Sequence, residues 1–240
     1  MKRKVLEFSI SEKLPIAPVQ AQTIINTLNP HSYCIAKKDP VFKESLLSSN
    51  ILLADGIGIV LASLFLYGKR LKRITGSDVH NHFLLQAQNN NMKVFYLGAS
   101  KSTIHAIKKN VLERYPNVNC EGYSPPYKEK FSRQDTNDMI KAVNDYAPDI
   151  LFIGLTAPKQ EKWSFQNKLL LNAKSIVSIG AVFDFFSQNV KRAPNWVRVM
   201  GLEWFFRLIK EPKRLWRRYI LNNFLFCYFA LMYKFKSKND

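Results

Sequence analysis

Apolar residues along this chain come in short unbroken runs that end near glycine. Ile51–Leu53 leads through Ala54 and Asp55 to Gly56 and Gly58, and the stretches 92–100 (MKVFYLGAS), 148–160 (PDILFIGLTAPKQ) and 175–186 (SIVSIGAVFDFF) repeat the theme. Runs of this length predict strands buried on both faces, and the glycines let the backbone turn tightly or a ligand come close. Between the runs the period changes. In 100–116, Ile104, Ile107, Val111 and Leu112 fall at i, i+3, i+7 and i+8, which predicts an amphipathic helix with Ser100 or Ser102 as its cap. Strand, glycine turn, helix, strand is the order of right-handed βαβ units. The prediction is an α/β fold: a Rossmann-like, mostly parallel sheet with helices on both faces. The polar stretch 120–138, with Pro125 and Pro126, predicts a long surface loop leading into a helix near Asp138–Tyr146.

From about Arg192 the rhythm is lost, and the chain becomes aromatic and basic. This divides it into an α/β domain over 1–191 and a C-terminal helical appendage over 192–240. The run 219–233 (YILNNFLFCYFALMY) is shorter than the roughly 20 apolar residues that span a bilayer, and Asn222-Asn223 interrupts it. It predicts a membrane-associating helix lying in the interface. Trp204, Phe205, Phe206, Trp216, Tyr219, Phe224, Phe226, Tyr228 and Phe229 would sit at headgroup depth, with Arg207, Lys210, Lys213, Arg214, Arg217 and Arg218 facing anionic lipid. The alternative is a helix pair packed on the α/β domain or on a second subunit.

Charge sharpens the picture. Lys and Arg number 36 against 18 Asp and Glu, a net +18, so the expected partner is anionic: nucleic acid, a membrane surface or a phosphate-bearing substrate. Cys34, Cys120 and Cys227 are odd in number and scattered, which predicts neither a disulfide framework nor a zinc site. The histidines lack metal-ligand partners, and His80 and His82 on one helix point apart. No metal is expected. Gly56 and Gly58 are followed by Leu61 where a dinucleotide fingerprint wants glycine, and there is no Walker loop. The N-terminal stretch breaks its apolar character at Glu7, Ser9, Ser11 and Glu12, so export is not expected.

On residues alone, Asp55 is either a carboxylate at the strand edge where open α/β sheets bind ligands, or a turn residue capping the next helix. Thr27 and Asn29 in TLNPHS could hydrogen-bond sugar hydroxyls or phosphate, with Thr27 alternatively a helix cap. Arg73 in KRITGSD offers a guanidinium fork for phosphate or is a solvated charge. Lys159, Gln160 and Glu161 begin a helix after Pro158, where backbone N–H groups favour anions.

Taken together, TLNPHSYCIAKKDP, LLADGIGIV, RITGSD, FYLGAS, GLTAPKQEKW, GAVFDFF and RAPNWVRVMGLEWFFRLIKEPKRLWRRY resemble, in order and spacing over 25–219, the WecG/TagA/CpsF glycosyltransferases, glycosyltransferase family 26. The resemblance implies inverting transfer of an N-acetylmannosamine-type sugar, its uronate or a related hexose. The UDP-sugar is the donor and a polyprenyl-diphosphate-linked sugar the acceptor, in cell-surface polysaccharide biosynthesis. It implies Asp55 as catalytic base with Thr27 beside it, and Asn29, Gly56, Arg73, Lys159, Gln160 and Arg192 as substrate contacts. It further implies no cofactor or required metal, an anionic membrane partner, no nucleic acid, and a cytoplasmic place on the inner face of the cell membrane. A homo-oligomer is left open. Gln188 stands where FDFFSG is usual, so the turn after Ser187 is an open point. A non-catalytic membrane- or nucleic-acid-binding α/β module and an NAD-dependent oxidoreductase are the competing readings.

Overall fold

A computed structural model describes residues 2–17, 19–190 and 192–239, with side chains described to 236. Eight strands form one sheet: β1 (Lys2–Val5), β2 (Phe8–Ser11), β3 (Thr23–Leu28), β4 (Ile51–Ala54), β5 (Lys93–Gly98), β6 (Asn119–Tyr123), β7 (Ile150–Gly154) and β8 (Ser175–Ser178). Their order is β1-β2-β4-β3-β8-β7-β5-β6, and every neighbouring pair is parallel except β1 with β2. The mostly parallel sheet read from the apolar runs is therefore present. β8 is buried along its whole length and β5 from Val94 onward, as strands covered on both faces must be.

Among the described residues, twelve α-helices surround the sheet: α1 (Pro30–Ala36), α2 (Pro40–Leu47), α3 (Ile57–Tyr67), α4 (Gly76–Asn89), α5 (Lys101–Arg114), α6 (Arg133–Tyr146), α7 (Lys159–Asn167), α8 (Val182–Phe186), α9 (Asn195–Val199), α10 (Glu203–Lys210), α11 (Pro212–Trp216) and α12 (Asn222–Asn239). On one face, Val79, Phe83, Ile104, Ile107, Val111 and Phe183 from α4, α5 and α8 pack on Val94, Tyr96, Phe152 and Val177. On the other, α1, α2 and α3 cover Leu28, Leu52 and Ala54, while α6 and α7 cover Phe95, Leu97, Leu151 and Ile153. Ser100 caps α5 by accepting from the Thr103 N–H, as expected.

Three local expectations are corrected. Residues 119–123, expected as the start of a loop, form the edge strand β6, polar because it pairs with β5 on one side only. The loop is thus shorter, and α6 begins at Arg133 on a Ser132 capping box rather than near Asp138. Leu112, assigned to the apolar stripe of α5, is 68% exposed. The hairpin of β1 and β2 is an addition to the expected elements. Its Val5, Phe8 and Ile10 are buried while Lys2 and Lys4 are exposed.

Beyond β8 the described chain is helical, with a π-helical turn over Arg217–Leu221 joining α11 to α12. Phe226 and Ala230 of α12 are buried against α1 and α3, while Phe224, Tyr228, Leu231, Met232 and Phe235 are exposed. The helix therefore combines both readings of the tail: one apolar face packs on the α/β body and another is uncovered. Phe226, expected at headgroup depth, belongs to the core. Among the described residues no helix is long and apolar enough to cross a membrane.

The turn after Ser187 does form, and Gln188 adopts a left-handed φ of 63° there. A side chain in that region costs about 1–2 kcal/mol, while glycine loses about 0.5–1 kcal/mol more chain entropy on folding. Gln188→Gly is expected to stabilise the protein by up to about 1 kcal/mol in urea unfolding. A destabilised variant would show that the Gln188 side chain contributes more than its backbone costs.

Candidate functional site

The carboxyl-terminal ends of the six parallel strands β3 to β8 open into one cavity of about 1030 Å³. Thr27, Asn29, Asp55, Gly56, Arg73, Lys159, Gln160 and Arg192, the residues expected from the sequence, all line it. Thr27 stands in β3, in register with Leu53, and is not a helix cap. The cap of α1 is Asn29, whose Oδ1 accepts from the Ser32 N–H at 2.9 Å. This cap leaves the Asn29 amide nitrogen as the donor still available to a ligand.

Asp55 extends the β3–β4 ladder, since its N–H donates to the Leu28 carbonyl at 2.8 Å. Gly56 then takes φ +104°, a turn that a side chain would strain, and a Cβ on Gly58 would come within 2.5 Å of Pro30 Cγ. The two glycines therefore let α3 start hard against α1 and leave Asp55 at the cavity edge. Among the described residues none hydrogen-bonds or ion-pairs with the Asp55 carboxylate. Burial pushes this carboxyl up to about 6; Glu203 adds to the rise, and Arg218 and Arg73 oppose it. Its pKa sits where a general base working at neutral pH needs it.

Cations dominate the walls. Arg73 donates through Nη2 to the Arg198 carbonyl, tying the loop before α4 to the end of α9. Arg192 Nε pairs with Glu203 Oε1 at 3.1 Å. Arg207, Arg214 and Arg218 also line the cavity, whereas Lys210, Lys213 and Arg217 are exposed. The expectation that all six face lipid is thus corrected for Arg207 and Arg218, which are partly buried in the wall, while Arg214 borders the cavity and stays exposed: α10, α11 and the turn after α11 fold back over the sheet edge. Trp204 and Tyr219, expected at headgroup depth, line the cavity for the same reason. Lys159 is turned partly away, its Nζ donating to the Lys128 carbonyl at 2.8 Å above the Phe131 ring.

Two wall residues lie outside the expected contacts. His31, one of the histidines without metal-ligand partners, lines the cavity; burial and Arg218 lower its pKa to about 4, so it is neutral there. Glu161 lies beside Gln160 in the wall, and burial pushes its carboxyl up to about 7. His31 directly follows the Asn29-Pro30 helix start, and Glu161 shares the helix start of Gln160, so adjacency to an expected contact is the signal that the sequence offers. Arg214 and Arg218, four apart, also share one helical face.

The arrangement offers a base, hydroxyl and amide donors, and a cluster of guanidinium groups suited to a diphosphate. The family described as "Glycosyl transferase WecG/TagA/CpsF family" matches residues 10–240. A relative from Bacillus subtilis (strain 168), named N-acetylglucosaminyldiphosphoundecaprenol N-acetyl-beta-D-mannosaminyltransferase, is 37% identical over 195 residues, covering 81% of this chain and 74% of its own. Proteins of the same name from Bacillus spizizenii (strain ATCC 23059 / NRRL B-14472 / W23) and Staphylococcus aureus (strain MW2) are 35% and 28% identical, covering 81% and 80% of this chain and 73% and 74% of theirs. With a family match over residues 10–240 and a relative 37% identical across 81% of it, the chain belongs to the WecG/TagA/CpsF family of glycosyltransferases.

Proposed function

We propose that the chain transfers an N-acetylmannosaminyl group, or a close relative of it, from a UDP-sugar to a polyprenyl-diphosphate-linked sugar with inversion at the anomeric carbon. The observation that carries this reading is the convergence of residues from distant segments on one cavity, where a carboxylate of raised pKa lies among arginines. The transferred group and the N-acetylglucosaminyl-diphosphoundecaprenol acceptor are taken from the names of the relatives.

In this scheme Asp55 accepts the proton of the acceptor hydroxyl as its oxygen bonds to the anomeric carbon. The bond from that carbon to the diphosphate oxygen breaks on the opposite face, and UDP leaves with the electron pair. Thr27 and Asn29 hold sugar hydroxyls near Asp55. Arg73, Arg192, Arg207, Arg214 and Arg218 stabilise the charge that develops on the leaving diphosphate, in a cleft where burial strengthens each interaction. The Gly56 turn admits the substrate close to the backbone.

A lipid-linked acceptor reaches such a cavity from a bilayer surface. The exposed face of α12, together with Leu61, Leu64 and Phe65 of α3, supplies apolar contact, and Leu61 is also part of the cavity wall. Lys210, Lys213 and Arg217 supply charge for anionic lipid at about 1 kcal/mol each near the surface. We therefore place the enzyme peripherally on the inner face of the cell membrane.

Asp55→Asn is expected to lower turnover by roughly 10²- to 10⁴-fold. UDP release would be followed with UDP-N-acetylmannosamine and a lipid-diphosphate acceptor in detergent. Its melting temperature at pH 8 should be unchanged or higher, because the ionised Asp55 carries a burial penalty above its raised pKa. An Asn variant with near wild-type turnover removes the base assignment.

The acid limb of kcat/KM is expected near pH 6, where Asp55 takes up its proton. Glu203→Gln removes a neighbouring negative charge and should move that limb to lower pH; a limb that stays or rises dissociates it from Asp55.

The intact chain is expected to float with anionic vesicles and to be partly released by salt. Replacing Phe224, Tyr228 and Phe235 by Glu should abolish flotation while leaving turnover of a short-chain, water-soluble acceptor unchanged. Equal flotation by both proteins counts against docking through α12.

A further inference from the structure

Glu161 is an acid of the cavity wall that the transfer scheme leaves unused. It is 2% exposed and its neighbour Gln160 is 4% exposed. Gln160 Nε2 donates to Glu161 Oε1 at 2.9 Å. The other acceptor of each side chain, Gln160 Oε1 and Glu161 Oε2, is buried with no hydrogen-bond partner. Such orphaned oxygens are rare in native interiors, because leaving a buried acceptor unpaired is costly, and more so when it is charged.

The cost is concentrated at one point of the wall. Gln160 Oε1 lies 3.3 Å from where a Cβ on Gly180 would stand, so a glycine at the end of β8 leaves room for the amide. An ionised carboxylate can only accept, which fixes the nitrogen of Gln160 toward Glu161 and its oxygen away from it. Bulk water does not reach the two orphaned oxygens, so a group entering from the cavity must complete them. That group has to be a donor. A diphosphate, all acceptors and itself anionic, is the wrong ligand here, although Arg218 is close enough to temper the Glu161 charge. The hydroxyl or acetamido N–H groups of a sugar ring have the right chemistry.

We propose that Gln160 and Glu161 form an acceptor subsite for the hydroxyl and N–H donors of a sugar ring, with Glu161 the positioning residue that holds the Gln160 amide in register. This rests on the sugar-transfer reading above. It separates Gln160 from the diphosphate contacts and gives the arginine-rich part of the cavity and the α7 end different roles.

The test uses the full chain, with KM and kcat measured for UDP-N-acetylmannosamine and for the lipid-linked acceptor, UDP affinity by calorimetry, and melting at pH 8. Glu161→Leu is expected to raise one KM by roughly 10- to 100-fold, the loss of a charge-assisted contact. Its melting temperature should be equal or higher, since a buried unpartnered charge is gone. Glu161→Gln, which still accepts from Gln160 Nε2, should recover most of the loss. In a Gln160→Leu background, Glu161→Leu should add less than it does alone, because part of its effect runs through Gln160. A raised donor KM with UDP affinity intact assigns the ring to the transferred sugar, a raised acceptor KM to the acceptor sugar, and weakened UDP binding to the ribose. Unchanged constants overturn the subsite, as does a lowered melting temperature that Glu161→Gln does not restore. An intact chain that transfers no sugar overturns the transfer reading itself, and the subsite with it.

Discussion

The seating of α12 on α1 is the contact on which the cavity depends. Tyr33 of α1 is 2% exposed and packs edge-on against Phe226 of α12 at 5.2 Å and against Phe8 of β2 at 5.9 Å. Its hydroxyl donates to Glu7 Oε2 at 2.7 Å. One residue thereby ties the N-terminal hairpin, the first helix and the last helix. Burying Phe226 stabilises by about 1.5–3 kcal/mol, and an edge-on aromatic pair adds about 0.5–1.5 kcal/mol. Because α1 begins at the cavity floor with Asn29 and Pro30, whatever fixes α12 on α1 also fixes the turn that carries Arg218. Asn222 Nδ2, 2.7 Å from His31 Nδ1, reinforces that join within the cavity wall itself.

The cavity stores charge that water would otherwise carry. Burial raises Asp55 and Glu161 together and lowers His31 and Arg218, so each ionisable group is pushed toward its neutral form. The Nε atoms of Arg207 and Arg218 are buried without partners in the same region. A loop framework would relax to relieve such costs. A sheet whose central strands are fully buried cannot, which is why the strained and unpaired groups collect at its carboxyl-terminal edge.

Much of the sheet is readable because its strands are unbroken apolar runs, and burial on both faces leaves no other pattern for them. The edge strands are not. β6 (Asn119–Tyr123) is polar, and β1 (Lys2–Val5) carries Lys2, Arg3 and Lys4, since a strand paired on one side answers to solvent as much as to the core. At the site, Asp55, Gly56 and Gln160 are legible from strand-end glycines and from the family pattern. Glu161 stands in a legible segment but shows no role there, because its significance lies in a missing partner, and sequence does not display what a side chain fails to touch. The tail misleads for a related reason. An aromatic and basic composition fits a lipid surface and a cavity wall equally, and the break at Glu211-Pro212 that turns α11 away from α10 decides which residues go where.

Residue type resolves part of that ambiguity. Between Glu203 and Arg218, the cations that line the cavity are Arg207, Arg214 and Arg218, of which Arg214 is itself exposed, while two of the three exposed cations outside the lining are Lys210 and Lys213. A guanidinium tolerates partial desolvation better than an ammonium and presents a flat fork to paired oxygens. A lysine ammonium is strongly hydrated and remains at a wet surface at little cost. Arg217 on the exposed side and Lys159 in the wall both break the pattern, so it holds only for the partly buried guanidinium groups of Arg207 and Arg218. The basic residues of this segment therefore answer two separate demands, partly buried positions in the cavity wall and a hydrated face facing outward. Only the helix turns that separate those faces convert composition into chemistry.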